Sequence, residues 1–229
     1  MRVVSESLKN KVSSMTLAQV AVLPIYIDKE KIENAPISFD VHARYGWHFV
    51  LLIASRLSLE KNIDQAIKAL SIVRQKFPDT GLLIVGSGSE EGSLKSLVKK
   101  LHLDGAVEFA GWQEDLASFY KTANVFIQTS LFEGYGLSLV EAGLSNLPVV
   151  STPVGIAQEL EDGKDLYTFP IGRSDLLAEK LIDLIENNQK RENLKLNLKN
   201  TLESKLISKD EYLQKLKSLW EKTAQKVHT

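Results

Sequence analysis

The sequence predicts an α/β fold built on a parallel sheet of six strands. From Trp47 to about Asn188, short apolar runs alternate with amphipathic stretches. The apolar runs are nearly continuous rather than alternating, as in strands covered on both faces. Length sets the third bound: 229 residues make one large domain or one and a half, at about 100–200 residues per domain.

The strands are read at residues 49–54, 82–85, 106–110, 125–129, 148–151 and 166–169. The clearest helix covers residues 61–77, where Ile63, Ala66, Ile67, Leu70 and Val73 recur at three and four residues and Pro78 follows as a stop. Further helices are read at 91–101, 115–122, 136–144 and 175–186, the last capped by Ser174 or Asp175 and ended by Asn187-Asn188. Six strands separated by helices make a parallel sheet with helical crossovers.

The two ends differ from this pattern. Residues 1–46 offer a strand-like Val3-Val4, a helix around 6–15, the apolar stretch 20–27 with Pro24, and a polar stretch interrupted by Pro36, together a connector and its attachment. Residues 190–205, rich in Lys, Asn and Leu, read as a solvated helix. On a last helix at 209–226, Tyr212, Leu216, Leu219 and Trp220, with Leu213 beside them, form an apolar stripe that something must cover.

Composition excludes several classes of function. With 44% hydrophobic and 25% charged residues a packed core is expected. The 28 basic and 29 acidic side chains give no broad positive field, which argues against a nucleic-acid partner. The absence of cysteine removes disulfides, thiolate catalysis and cysteine-ligated metals. His42, His48, His102 and His228 lack metal-ligand spacing, so no metal is expected. No apolar run reaches the about 18 residues of a membrane span, and the start lacks the order of a signal peptide. The expected location is cytoplasmic.

In a parallel sheet ligands lie beyond the carboxyl ends of the strands, so the strand-to-helix loops are the place for chemistry. The first places Arg56 at a strand end and Lys61 at the start of the next helix, where the macrodipole disfavours a cation. A bound diphosphate would reverse that preference, shared among Arg56, Lys61 and free helix N–H groups; two exposed loop cations are the plain alternative. The second loop, Gly86-Ser87-Gly88-Ser89-Glu90-Glu91-Gly92, raises the dinucleotide fingerprint. Its third glycine falls at Gly92 where the pattern requires position 91, and Glu90 and Glu91 would crowd a pyrophosphate, so an NAD-linked oxidoreductase is a weak rival. Asp104 and Glu108, about 20 residues on, do not rescue it.

The third loop carries Trp112 and Gln113, which either shape a slot for a flat base or pack structurally. The fourth, residues 130–142, is the most specific. Leu137, Val140, Glu141 and Leu144 share one helix face, so a carboxylate takes a slot in an apolar stripe. It needs a partner there: a vicinal diol is a good one, and an edge position reaching water is the other. Glu133 lies in a loop whose glycines let backbone N–H groups approach a ligand.

Taken together, Arg56 with Lys61, Gly86-Ser87-Gly88, Phe109-Ala110-Gly111-Trp112, Glu133 and Glu141 with seven residues between, and Pro148-Val149-Val150-Ser151-Thr152-Pro153-Val154-Gly155 followed by Glu159 resemble the C-terminal domain of a GT-B-fold, retaining family 4 glycosyltransferase. The resemblance covers about residues 1–190. It implies a Rossmann-like six-stranded sheet with helices on both faces, binding a nucleotide sugar. By position, Arg56 and Lys61 match the pair that neutralises the donor diphosphate and Glu133 the acid that faces the transferred sugar. Glu141 matches the acid that binds the ribose. Gly86 and Gly88 fall in the donor site, the backbone of Tyr135, Gly136 and Leu137 would contact sugar or phosphate, and Trp112-Gln113 would border the base. The family works without a bound metal, so no cofactor is implied.

The resemblance divides the chain into the end of an N-terminal domain plus linker (1–46), a nucleotide-sugar-binding domain (47–190) and C-terminal helices that would pack back on that N-terminal domain (191–229). Acceptor chemistry would belong to an N-terminal domain or separate chain, making this one weak or inactive alone. A peripheral membrane acceptor at the inner face of the membrane and a homodimer through the C-terminal helix are both compatible with it. A non-catalytic nucleotide-sugar-binding or partner-docking module is the alternative from another class. Asn62 and Asn146 stand where the family often has glycine, and asparagine tolerates left-handed backbone.

Overall fold

The computed structural model describes residues 1–225. In chain order the elements are β1 (Arg2–Val3), α1 (Glu6–Ser13), β2 (Ala21–Val22), α2 (Lys29–Asn34), α3 (Val41–Tyr45), β3 (Phe49–Ala54), α4 (Asp64–Lys76), β4 (Thr80–Val85), α5 (Glu91–Lys100), β5 (Val107–Gly111), α6 (Ala117–Thr122), β6 (Val125–Gln128), α7 (Leu137–Leu144), β7 (Val149–Ser151), β8 (Tyr167–Thr168), α8 (Ser174–Glu186), α9 (Asn188–Lys205) and α10 (Lys209–Gln225). Two 3-10 turns, Leu59–Lys61 and Gly155–Glu159, interrupt the loops after β3 and β7.

Strands β3 to β8 form one parallel sheet in the order β5-β4-β3-β6-β7-β8. Successive residues of a strand point to opposite faces. Leu51, Ile53, Leu82 and Ile84 therefore join one core with the apolar sides of α4, α5 and α8. Val50, Leu52, Leu83 and Val85 join a second core with α6, α7 and α9. Both faces are covered, which is why the strands read as unbroken apolar runs. The order grows outward from β3 through β4 and β5, then resumes beside β3 with β6, so a topological switch point lies between β3 and β6.

Each of the six sequence-read strands is present within a residue or two. The helix read from Lys61 begins instead at Asp64, because Asn62 takes a left-handed conformation (φ 51°) and ends the 3-10 turn before it. Asn146 is left-handed as well (φ 59°), so both asparagines occupy backbone that otherwise favours glycine. Residues 190–205 are helical but not merely solvated. Leu194, Leu198 and Leu202 of α9 are buried, and Gly143 of α7 leaves room for them: a Cβ there would lie 2.5 Å from Leu202 Cδ1.

The connector is more ordered than its composition suggested. β1 pairs in parallel with β2, and α2 and α3 are additional short helices. Lys121 donates to the carbonyls of Glu33 and Ala35 at the end of α2, while Lys29 and Lys199 share Glu33 and Glu203 between α2 and α9. On α10, Tyr212 meets the N-terminal segment: Arg2 donates to its hydroxyl at 3.2 Å, and the Tyr26 ring lies 5.9 Å away. Trp220 and Leu213 remain exposed. Lys226, read as the end of that helix, and His228 lie outside the described residues.

Candidate functional site

Three adjoining hollows line the carboxyl ends of the strands. The tightest, about 40 Å³, holds Lys61, Ser130, Glu133, Gly136, Leu137 and Ser138 at the switch point. The largest, about 520 Å³, is bounded by Arg56, Gly86, Gly88, Trp112, Gln113 and Leu116. The third, about 380 Å³, contains Tyr120, Leu137, Glu141 and Ser145 against the linker residues from Ile25 to Ala35. Ser138 belongs to the first two, Leu116 to the last two, and Leu137 to the first and third. The hollows are compartments of one cleft.

At the switch point the Lys61 ammonium donates to Glu133 Oε1 at 2.6 Å, both side chains being mostly buried. Ser130 Oγ donates to the same oxygen at 2.6 Å. Thr129 Oγ1 donates to the Lys61 carbonyl, and Leu131 N donates to the Glu60 carbonyl, which staples the β3 loop to the β6 loop. Gly155 supports this arrangement from the next loop. Its φ is +58°, and a Cβ there would lie 2.8 Å from the Glu133 Cβ and 2.4 Å from the Tyr135 carbonyl oxygen.

Arg56 is exposed beside the large hollow. Its loop is fixed by the glycine turn after β4: Leu57 N donates to Ser87 O, and Glu90 N donates to Leu57 O. A Cβ on Gly86 would stand 1.9 Å from the Ser55 carbonyl oxygen, and one on Gly88 2.2 Å from that of Leu57. These glycines are required by loop-to-loop contact, which accounts for them without a dinucleotide. Trp112 is 70% exposed, so it is no core residue, and Gln113 is anchored by donating to the Ala110 carbonyl.

The helix N-termini differ in a way that matters for an anion. At α4 the N–H groups of Gln65, Ala66 and Ile67 are taken by the carbonyls of Asn62 and Ile63, and the first turn carries Asp64, which makes it a poor place for an anion beside Lys61. The first turn of α5 carries Glu91. Helix α7 starts at Gly136 (φ 97°), has no acid in its first turn and no side-chain cap, and its first residues line the cleft. That terminus is the one open to negative charge.

Glu141 sits one turn along α7 from Leu137, and both face the third hollow rather than the core. Tyr120, buried on α6, donates to Glu141 Oε2 at 3.1 Å. Burial pushes the Glu141 carboxyl above its ordinary pKa, and the tyrosine hydrogen bond offsets part of that rise. The tyrosine hydroxyl is itself pushed well above its usual range, chiefly by burial, so it stays a donor. Only the backbone N–H of Tyr135 is left to a ligand. Its ring is buried in the core and its carbonyl accepts from Ile156 N at 2.7 Å, while Gly136 and Leu137 line the cleft. Sequence reasoning did not single out Tyr120, Ser130 or Ser138, because small polar and aromatic residues in loops and helices carry no distinctive local pattern. Among the described residues no cluster of three metal-ligating side chains occurs, and no helix is long and apolar enough to cross a membrane.

Residues 35–201 match the sequence profile of Glycosyl transferases group 1. The chain belongs to that family. The capsular polysaccharide biosynthesis glycosyltransferase CapM of Staphylococcus aureus is 28% identical over 216 residues, covering 90% of this chain and 57% of CapM. The GtfA subunit of the UDP-N-acetylglucosamine–peptide N-acetylglucosaminyltransferase of Streptococcus pneumoniae serotype 4 is 34% identical over 124 residues, 53% of this chain and 24% of GtfA. Among solved structures, Anabaena HepE in complex with UDP aligns with a TM-score of 0.85 at 25% identity, covering 96% of this chain and 63% of that one. Pneumococcal GtfA in complex with UDP and GlcNAc aligns at 0.77 and 25% identity, covering 99% and 44%. The C-terminal domain of the Francisella tularensis group 1 protein LpcC shares the fold at 0.70 and 23% identity, over 80% of this chain and all of that domain. The glycosyltransferase chain is thus the C-terminal half of a GT-B fold, and it spans about half or less of the first curated relatives it matches, 47% of one from Haemophilus influenzae.

Proposed function

We propose that this chain is the donor-binding part of a retaining hexosyltransferase and takes a nucleotide-diphospho-sugar. One observation carries the reading: an uncapped, acid-free helix N-terminus opens on a cleft that also holds Arg56 and Lys61, with a carboxylate at each side, Glu133 and Glu141. The cations and the N–H groups of α7 suit a diphosphate. Glu133 suits hydroxyls of the transferred sugar, and Glu141 suits the ribose diol. Trp112 and Gln113 border the space left for the base. Gly86 and Gly88 act by holding the wall. UDP in the HepE and GtfA structures supports the ligand class.

The chemistry follows from where charge develops. As the bond from the anomeric carbon to the diphosphate oxygen breaks, its electron pair moves onto the diphosphate, where Arg56, Lys61 and the α7 N-terminus stabilise it. The acceptor hydroxyl attacks from the face the diphosphate leaves. Its proton passes to the departing phosphate oxygen, so the anomeric configuration is kept and no protein base is needed. No metal has a place in this reading, and the acceptor half is a separate domain or chain meeting residues 1–46 and 191–229. Calorimetric titration with UDP, GDP and ADP sugars tests it. Millimolar ligand without binding, or full binding by an Arg56→Ala, Lys61→Ala double variant, would sink it.

The exposed Trp220 and Leu213 of α10 favour a second role beside the first: that helix meets the acceptor half or a second copy of the chain. Light scattering over a range of concentrations distinguishes the two.

A further inference from the structure

We propose that Tyr120 is a positioning residue for nucleotide recognition, holding one oxygen of Glu141 so that the other is presented to the ribose diol. The proposal rests on the donor reading of Glu141 given above. It goes beyond it by assigning a role to a side chain on a different helix, outside the strand-end loops.

The geometry is one of a fixed acceptor. The Tyr120 hydroxyl donates to Glu141 Oε2 at 3.1 Å and not to Oε1. A carboxylate on a helix surface rotates freely about its terminal torsion. Here one oxygen is tied to a ring that cannot move: Tyr120 is 4% exposed and packs edge-on against Phe126, centroids 5.8 Å apart. Glu141 lines the hollow shared with Leu137 and Ser145. An acceptor placed in advance need not be ordered when a diol arrives.

The hydrogen bond also sets the protonation of the acceptor. Burial favours the neutral acid at Glu141, and a protonated carboxyl accepts poorly from two hydroxyls. The tyrosine donor favours the ionised form. The other charged groups around this hollow are Asp28 and Lys31 from the linker and α2, and Glu114 and Asp115 from the loop before α6. Of these groups and Tyr120, Tyr120 is the one bonded to the carboxylate.

The experiment compares Tyr120→Phe with the parent chain against UDP, GDP and ADP and against their 2′,3′-dideoxy forms, by calorimetry between acid and neutral pH. Phenylalanine keeps the buried ring, and a thermal melt checks that the fold survives. For the nucleotide that binds, the variant should lose about tenfold in affinity, the scale of one hydrogen bond to a charged group, and should lose little for the dideoxy form. Its affinity should also fall away at a higher pH on acidification than the parent's. A second variant, Glu141→Gln, should abolish the preference for the diol, and adding Tyr120→Phe to it should cost nothing more. Equal losses for diol and dideoxy ligands, or an unchanged Tyr120→Phe while Glu141→Gln still loses the diol preference, would overturn the proposal alone. If no ribonucleotide binds, or Glu141→Gln binds like the parent, the donor reading falls and the role of Tyr120 with it.

Discussion

Lys61 Nζ, from the loop after β3, and Glu133 Oε1, from the loop after β6, meet at 2.6 Å across the point where the strand order reverses. The pair makes a cation and an anion neutralise each other in the place where a diphosphate and a sugar would need them separately. On the proposed reading, a diphosphate would compete with this internal carboxylate for Lys61.

That competition has a measurable sign. Glu133→Gln releases the Lys61 ammonium, so a nucleoside diphosphate without sugar should bind about threefold to tenfold tighter, a gain typical of one partly exposed ion pair. The nucleotide sugar should not share the gain, and any transfer catalysed with the acceptor half present should fall. Calorimetry with the two ligands side by side gives the answer, and equal tightening of both would count against a sugar contact by Glu133.

Glu141 should cost the fold stability at neutral pH. Its pKa is raised in the native state by burial, so the native chain holds that proton more tightly than the unfolded chain. The resulting stability is full below the ordinary carboxylate range and is lost as pH rises through the raised native value. Glu141→Gln should accordingly melt higher than the parent at neutral pH, and the difference should shrink near pH ~4, where both forms are neutral. Thermal melts at the two pH values suffice, and a variant that melts lower at neutral pH would contradict the burial argument.

Two glycines, one in the turn after β4 and one in α5, should respond oppositely to alanine. At Gly86 the new Cβ meets the Ser55 carbonyl at 1.9 Å on backbone with φ +137°, so a loss of about 2–4 kcal/mol is expected. At Gly92, inside α5, nothing lies within 4 Å, so alanine should gain about 0.5–1 kcal/mol from helix propensity. Urea unfolding of both variants checks the contrast.

The last two helices should separate in the same way. Leu198 on α9 is fully buried, so Leu198→Ala should cost about 2–5 kcal/mol. Trp220 on α10 is 68% exposed, and Trp220→Ser should change monomer stability by no more than about 0.5 kcal/mol. A large loss at Trp220 in dilute chain would mean that its ring is covered.

The six strands were legible because each is buried on both faces and so reads as an apolar block, Phe49–Ala54 most plainly. Helices α2 and α3 were not, since six and five residues cannot form a helix by propensity. They are held by distant partners: Lys121 at the end of α2, and Ser118 and Thr122 hydroxyls that accept from Ser38 N and Val41 N. The start of α4 was misjudged because Asn62 in left-handed backbone ends a 3-10 turn that periodicity does not register. At the site, Glu141 stood out as an acid in an apolar stripe. Tyr120 did not, for its partner is 21 residues away and an aromatic in a buried helix is ordinary.

The contacts of Gly86 with Ser55 and of Gly88 with Leu57 bear finally on how fast a ligand is captured. Two loops in backbone contact cannot open or fold over independently, so the strand-end wall of the cleft is the same before and after an encounter. The exposed side chains of Arg56 and Trp112 are then what must settle, a rearrangement of nanoseconds. Stopped-flow mixing with a fluorescent nucleotide should show a single phase whose rate rises linearly with concentration and never reaches a plateau, because side chains are all that this wall has to settle.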